Sequence, residues 1–345
     1  MPLQELLRTE LPIIQAPMAG SQGSALAIAV SEAGGVGSLP CALLSLEGMR
    51  NELRAMQGGT RKPFNVNFFC HTPPVADAAR ETAWRAALAP YYRELGIDAE
   101  NVPAGPARAP FSAEAADLLE EFQPPIVSFH FGLPAPELLA RARRHGAKIL
   151  SSATTVAEAQ WLEARGVDAI IAQGFEAGGH RGHFLSDDLS EQPGTFSLLP
   201  QIVRAVRVPV IAAGGIVDRA SIAAAKALGA AGVQLGTAYL LCPESKTSAV
   251  HRAALKSAAA NHTALTNLFS GRPARGIVNR LMREVGPLSP VAPSFPLAAT
   301  AIAPLRAAAE SRGSGDFSPL WAGQNVTGAR EIPAGRLTRE LAGIS

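Results

Sequence analysis

The stretch DAIIAQGFEAGGHRGH (168–183) joins an apolar run to a polar, glycine-rich loop. Residues 168–173 are apolar without the alternation of a half-exposed strand, as expected for a strand that is covered on both faces. The segment Gln173–His183 contains four glycines, two histidines, an arginine and a glutamate. Such a succession is typical of parallel α/β proteins, in which functional groups gather on the loops at the strand ends.

Short apolar runs of this kind recur along the whole chain, and most are followed by an amphipathic helical pattern such as 218–229, which opens on the suitable N-cap Asp218. Eight strand–helix units predict an α/β protein with a (β/α)8 TIM barrel. A doubly wound open sheet is the main competing fold, but no clear GxGxxG fingerprint follows the first run. The predicted strands are 11–18, 35–40, 64–69, 126–131, 148–153, 168–174, 209–215 and 232–240.

Two stretches interrupt this alternation and suggest how the chain is divided. We expect residues 1–250 to form the barrel and its cofactor site, with a helical insertion at 70–125. Residues 251–330, rich in Ala, Pro and Gly, are expected to form a helical extension or lid on the substrate side of the barrel mouth. Residues 331–345 are expected to be a C-terminal tail.

Composition narrows the class of protein. The 345 residues are 47% hydrophobic, and a net charge of +2 argues against a polyanionic partner such as nucleic acid. Cys41, Cys70 and Cys242 are far apart, as expected of free thiols in a reducing compartment. The N-terminus lacks a signal-peptide pattern and no apolar stretch reaches the ~18 residues of a membrane span. We therefore expect a cytoplasmic protein without a membrane partner; a homodimer is compatible with the sequence, which does not fix the oligomeric state.

Glycines follow the last two predicted strands. Gly214 and Gly215 come after the seventh strand, and Gly236 and Thr237 lie in the eighth. TIM barrels commonly bind phosphate at these two places, where backbone N–H groups can approach the phosphate oxygens. The competing interpretation is that these glycines only form tight turns, and the paired occurrence favours a phosphate site.

The other polar groups expected at the barrel mouth are mostly uncharged. They include Asn67, Gln173, His130 and His180, without a lysine or a pair of carboxylates at the strand ends. The spacing of His180 and His183 does not complete a metal-ligand set, so we expect no metal. Neutral amides beside a phosphate site suit a flat heterocycle, and FMN is the cofactor that fits this combination.

Five motifs in order resemble those of the nitronate monooxygenases, a family of FMN-dependent TIM-barrel enzymes, and the late stretch DFSPLWAGQN (316–325) fits the same family. The resemblance implies oxidation of alkyl nitronates, and of neutral nitroalkanes if these are accepted, with O2, to a carbonyl compound and nitrite. The motifs are QAPMAG (15–20), SFHFG (128–132), QGFEAGGHRG (173–182), AAGGI (212–216) and QLGTAYL (234–240).

The resemblance also implies residue roles. His180 matches the catalytic base of the family, and His130 matches a second active-site histidine. Imidazole has a pKa suited to removing an α-proton near neutral pH, whereas a preformed nitronate needs hydrogen-bond donors instead. The implied FMN-binding residues are Pro17, Met18, Asn67, Gln173, Gly178, Gly179, Gly214, Gly215, Gln234, Leu235, Gly236 and Thr237.

Other interpretations of these residues remain open at this level. His180 could satisfy only backbone groups of its loop, and His130, between Phe129 and Phe131, could be a core histidine. Glu176 is expected to shape the loop or to pair with Arg181. The segment 294–311 lacks the tyrosines and lysine that some family members place near the substrate, so the substrate side is expected to differ, with an apolar pocket around Phe295 and Leu297.

Two alternative functions also fit parts of the sequence, and a third does not. The same barrel with FMN could be an NAD(P)H-dependent reductase of enoyl thioesters or quinones, because the EAGGH motif also occurs among enoyl reductases. A flavin-free lyase or isomerase could use the phosphate site for its substrate. A non-catalytic binding barrel has no sequence feature in its favour.

Overall fold

Eight parallel strands form the centre of the molecule. The computed structural model describes residues 2–98 and 108–344. Each of the eight predicted runs contains one of these strands, and the predicted (β/α)8 barrel is confirmed. The barrel strands are β1 (Ile13–Gln15), β2 (Gly37–Pro40), β3 (Phe64–Phe69), β4 (Ile126–His130), β5 (Lys148–Ala153), β6 (Ala169–Gln173), β8 (Val210–Ala213) and β9 (Gly232–Leu235). A separate antiparallel sheet is formed by β7 (Gly179–His180), β10 (Thr263–Thr266) and β11 (Ala274–Ile277).

The parallel sheet closes on itself. Its strand order is β1-β9-β8-β6-β5-β4-β3-β2, and a bridge between Ile14 and Val36 connects the two ends. The N-terminal helix α1 (Leu3–Leu7) plugs the amino-terminal end of the barrel, because its leucines share one apolar cluster with the interior side chains. The opposite end, formed by the carboxyl ends of the strands, is left for the functional groups. The interior cluster includes Ile14, Val36, Ile126, Leu150, Ile171 and Ile211.

Helices cover the outside of the barrel. The predicted helical pattern at 218–229 is a helix, and Asp218 caps it as predicted by accepting the Ser221 N–H at 2.8 Å. The remaining helices are α2 (Ser24–Glu32), α3 (Leu46–Gly59), α4 (Ala78–Leu95), α5 (Ala113–Phe122), α6 (Pro136–Arg143), α7 (Val156–Ala164), α8 (Thr195–Ala205), α9 (Arg219–Ala227), α10 (Ala249–Leu255), α11 (Arg280–Glu284), α12 (Ala298–Ser311) and α13 (Ala334–Ala342).

The last helix, α13, belongs to the barrel wall. It packs against α2 and α9, the position that a helix following the eighth barrel strand normally takes. Its Thr338 Oγ1 lies 2.9 Å from Tyr239 Oη in the core, and Leu337 is fully buried. Helix α13, which lies in the segment that the sequence analysis expected to be a tail, thus completes the ring of helices.

A second apolar core lies between the insertion and the extension. Helix α4 packs along α12, and Trp84 Nε1 and Tyr92 Oη donate to the carbonyls of Ala298 and Ala301. Helix α5 instead packs between α3 and α6 in the barrel wall. The extension also contributes β10 and β11, which the sequence analysis did not predict. Within residues 2–98 and 108–344, no helix is both long and apolar enough to cross a membrane.

Removal of the Leu337 side chain tests whether α13 stabilises the barrel. Leu337 is fully buried, so Leu337→Ala should lower the free energy of unfolding by about 2–5 kcal/mol through lost burial and a new cavity. Leu46→Ala is the matched control because Leu46 is 45% exposed. Urea denaturation of both variants measures the difference, and equal midpoints would show that α13 is only a surface appendage.

Candidate active site

A large cavity opens at the carboxyl ends of the barrel strands. Its empty volume, including the part open to solvent, is about 1370 Å3. It brings together the predicted residues Pro17, Met18, Asn67, His130, Gln173, Gly178, Gly179, His180, Gly214, Gly215, Gln234, Gly236 and Thr237.

Leu235 is the predicted residue that does not line this cavity. Its side chain is 1% exposed and packs in the core between the sheet and the helices. Its carbonyl accepts the Ala16 N–H at 2.8 Å. Leu235 therefore positions the loop after β1, which carries Pro17 and Met18.

The glycines after β8 and β9 form a cradle of backbone groups. Gly214 and Gly215 have φ angles of 112° and 72°, a conformation that L side chains rarely adopt. The Thr237 Oγ1 accepts the Gly323 N–H at 3.0 Å, which leaves the hydroxyl hydrogen for a ligand. No lysine or arginine lines this part of the cavity among the described residues, so an anion would be bound by N–H and O–H groups.

Amide side chains provide further ligand-binding groups. Gln234 Oε1 is buried and has no hydrogen-bond partner among the described residues, although the side chain lines the cavity. A buried acceptor without a partner is costly, so a donor from a ligand would satisfy it. Asn67 directs its Nδ2 to the Ser128 Oγ at 2.9 Å, and this contact fixes the orientation of its carbonyl oxygen.

The glycine-rich loop after β6 is held firmly. Gln173 donates to the His180 carbonyl at 3.0 Å and accepts the Gly182 N–H at 2.8 Å. Arg181 is completely buried, and its guanidinium donates to the carbonyls of Gln173 and Gly174 at 2.8 and 2.7 Å. Gly174, Gly178 and Gly182 allow close packing in this loop, whereas Gly179 provides a φ angle of 71°.

Two contacts connect this loop to other parts of the chain. A Cβ on Gly178 would lie 2.6 Å from the backbone of Ala322 and Gly323, so glycine is required where the two segments meet. Glu176 accepts the Thr195 N–H and hydroxyl at 2.7 and 2.8 Å. It therefore shapes the loop as predicted, by capping α8.

His180 lies in an apolar part of the cavity. Strand β7 pairs with β11, and His180 Nε2 lies 2.8 Å from Ser270 Oγ. Burial lowers the pKa of His180 well below 6.5, and the positive charge of Arg108 lowers it further. The imidazole is therefore neutral at physiological pH. Its ring is surrounded by Phe69, Phe131, Phe295 and Trp321, at centroid distances of 5.3–6.1 Å.

His130 has both ring nitrogens engaged by the protein. Nε2 lies 3.2 Å from the His180 carbonyl, which can only accept, so Nε2 carries the hydrogen. In the neutral ring Nδ1 then accepts from the Ser152 hydroxyl at 3.0 Å. Burial lowers the pKa of His130 to about 3. Both ring nitrogens of His130 thus have partners within the protein, one of them the backbone of His180.

The structure adds residues that the sequence analysis missed. Ser270 and Arg108 come from the extension and the insertion, and no periodic pattern marked either of them. Phe131 has φ = 70°, which turns its ring into the cluster around His180. Its position in the SFHFG motif, just before a glycine, was the one available signal.

Comparisons with known proteins agree over the whole length of the chain. The nitronate monooxygenase family profile matches residues 1–343. The chain belongs to the nitronate monooxygenase family. The nitronate monooxygenase of Paraburkholderia phytofirmans is 45% identical, over 98% of this chain and 93% of that protein. The nitronate monooxygenase of Pseudomonas aeruginosa is 44% identical, over 97% of this chain and 96% of that protein.

A solved structure shows the same likeness. The nitroalkane oxidase from Streptomyces ansochromogenes superposes with a TM-score of 0.90 at 41% identity, covering 99% of this chain and 96% of that chain. As a member of the nitronate monooxygenase family, the chain is an oxidoreductase that oxidises nitro compounds, which are small molecules.

Acid should destabilise the protein through its buried histidines. The folded-state pKa of His130 is about 3, against about 6.5 in an unfolded chain. Its stabilising contribution is fully present above about pH 6.5 and is lost as the pH falls towards about 3, because only the unfolded chain then binds the proton. The free energy of unfolding should drop by about 2 kcal/mol between pH 7 and pH 5 from this group alone.

Urea denaturation at both pH values measures this effect. His130→Gln should show a smaller decrease between pH 7 and pH 5 than the wild-type protein. The surface variant His262→Gln is the control and should behave as wild type. Identical pH dependence in all three proteins would contradict the assignment of a neutral, buried His130.

Proposed function

We propose that this protein is an FMN-dependent enzyme that oxidises alkyl nitronates with O2 to a carbonyl compound and nitrite. The observation that supports this most directly is the position of His180. Its neutral imidazole lines the same cavity as the glycine cradle and is surrounded by aromatic side chains. Such an arrangement can hold a flat cofactor on one side and a small apolar nitro compound on the other.

The cavity residues fit FMN. Gly214, Gly215, Gly236 and Thr237 would bind the phosphate through backbone N–H groups and a hydroxyl, as phosphate sites after the last two barrel strands do. The unpartnered Gln234 Oε1 would accept a hydrogen bond from the heterocycle. Further contacts would come from Pro17, Met18, Asn67, Gln173, Gly178 and Gly179. When bound, FMN would supply the electron-accepting group that takes electrons from the nitronate and delivers them to O2.

Ser270 sets which nitrogen of His180 can accept a proton. We propose that the Ser270 hydroxyl donates its hydrogen to the Arg272 carbonyl, 3.3 Å from Oγ. The Ser270 oxygen is then the acceptor of a hydrogen bond from His180 Nε2–H at 2.8 Å. In this tautomer Nδ1 keeps its lone pair and can take the α-proton of a neutral nitroalkane.

The same surroundings favour substrates that are already anionic. Burial and nearby arginines lower the pKa of His180, and an imidazole with so low a pKa is a weak base. A preformed nitronate needs no proton abstraction, and its negative charge suits a cavity whose nearby charges are positive. We therefore propose nitronates as the better substrates and neutral nitroalkanes as slower ones.

An anaerobic absorbance titration of the FMN-loaded protein tests the proposed function. Propyl-2-nitronate should reduce the flavin, whereas NADH and NADPH should leave it oxidised on the same timescale. Free FMN with the same nitronate is the control. Rapid reduction by a nicotinamide without a response to nitronate would replace the proposal with the reductase alternative, and a protein that takes up no FMN would refute both.

Substitution of His180 separates the two substrate forms. His180→Asn should keep FMN bound but lose at least about 100-fold in kcat/KM for 2-nitropropane, as general-base removal commonly does, with a smaller loss for propyl-2-nitronate. The control is His183→Asn, since His183 lies on the same loop but does not line the cavity. Full activity of His180→Asn on the neutral nitroalkane would show that another group is the base.

Ser270 is proposed to act through His180, so its substitution should affect neutral nitroalkanes more than nitronates. Ser270→Ala should slow flavin reduction by neutral nitroalkanes by about 10-fold or more, because the ring loses the bond that fixes its tautomer. Reduction by a preformed nitronate should fall less, since no proton is abstracted. Ser289→Ala, at a buried serine of the same extension, is the control. An equal loss for both substrate forms would indicate a structural role only.

A further inference from the structure

The cavity wall holds one formally charged side chain among the described residues. Amides, hydroxyls, two neutral histidines and apolar groups make up the rest of the lining, and Arg108 is the exception. No aspartate, glutamate or lysine lines the cavity in the part of the chain that the structure describes. An anion that enters the cavity therefore meets a single fixed positive charge.

The guanidinium of Arg108 is incompletely satisfied. Its Nη1 is buried without a hydrogen-bond partner among the described residues, and no described carboxylate forms an ion pair with it. Burial and the nearby Arg306 both lower the pKa of Arg108. Arg181 is a useful contrast, because its buried guanidinium donates to two carbonyls and to Gln192 Oε1. A buried donor of a charged group without a partner is costly, and a ligand can remove that cost.

Arg108 lies at the aromatic end of the cavity. Its guanidinium carbon is 6.0 Å from the centroid of the Phe295 ring, and that ring lies 5.3 Å from the ring of His180. The charge of Arg108 also acts on His180 more strongly than any other charge does. The guanidinium thus lies on the side of the cavity where we place the substrate. The glycine cradle, where we place the phosphate, offers backbone N–H groups instead.

We propose that Arg108 binds the negatively charged oxygen atoms of the substrate and thereby makes the enzyme select anions. The inference rests on the proposed function, since the anion is the substrate of that reaction. A guanidinium presents parallel N–H groups that match two oxygens on one atom, a geometry that nitronate and carboxylate groups share. The oxyanion bound by Arg108 is either the nitronate itself or a carboxylate elsewhere on the substrate.

Binding of an inert oxyanion tests this without turnover. Nitrate is planar and cannot reduce the flavin, and its dissociation constant is obtained from the change in flavin absorbance of the FMN-loaded protein. Arg108→Gln should weaken nitrate binding by roughly 10- to 100-fold, the range for losing a hydrogen bond to a charged group. Arg108→Lys should restore part of the binding, because it retains the charge but not the paired N–H groups.

Arg306→Gln is the matched control. Arg306 acts on Arg108 through its charge but pairs with Glu310 at 2.8 Å and does not line the cavity. It should bind nitrate as the wild-type protein does. Equal nitrate binding, or none, in the wild-type and Arg108→Gln proteins would overturn the proposal, as would an equal loss in Arg306→Gln.

Three substrates distinguish whether Arg108 binds the nitronate oxygens or a carboxylate of the substrate. With Arg108→Gln, a 10-fold or greater rise in KM for propyl-1-nitronate but not for 1-nitropropane assigns the contact to the nitronate oxygens. A rise confined to 3-nitropropionate assigns it to a carboxylate. No change with any of the three overturns the role of Arg108. Absence of flavin reduction by nitronates in the wild-type protein would instead refute the proposed function. The nitrate measurement detects binding alone, so its outcome can be read separately from that failure.

Discussion

The position of His180 depends on one buried cation. Arg181 has no exposed surface, and its guanidinium is satisfied by the carbonyls of Gln173 and Gly174 at the end of β6. A buried guanidinium that lost these acceptors would be strongly destabilising, so the loop is held against the strand end. Successive residues of an extended segment point to opposite faces. With Arg181 directed into the protein, its neighbour His180 is directed into the cavity, where the imidazole meets Ser270.

The electrostatics around His180 differ from those of a catalytic triad. A triad places a carboxylate behind its histidine, which raises the basicity of the ring. Here the partner is the hydroxyl of Ser270 and aromatic rings surround the imidazole, and burial together with nearby positive charges, first that of Arg108, lowers the pKa of His180. A carboxylate in this cavity would repel a nitronate. This arrangement weakens the base but would favour the anionic form of the proposed substrate, which has already lost its α-proton.

The sequence predicted the barrel well because its signals are local. Apolar runs, helix periodicity and Asp218 as a cap each act within a few residues, and the same is true of the glycines that form the backbone cradle after β8 and β9. The small sheet could not be predicted, because β10 and β11 are four residues each and β11 contains the buried Arg275. Ser270 reaches His180 across 90 positions, and only the pairing of β7 with β11 brings them together. Helix α13 has a clear apolar stripe, but its place beside α2 follows from the closed barrel.

Under the proposed function, cofactor binding and substrate recognition would come from different parts of the chain. The glycine cradle is made by loops of the barrel, whose backbone positions are fixed by the closed sheet. The substrate side is made by Ser270, Phe295 and Trp321 of the extension, together with Arg108 of the insertion. Side chains set the chemistry there, so substitutions can change substrate preference without disturbing the cradle. The absence of tyrosine and lysine from 294–311 is such a change. Among the described residues, Arg108 is then the one charged side chain on the cavity wall.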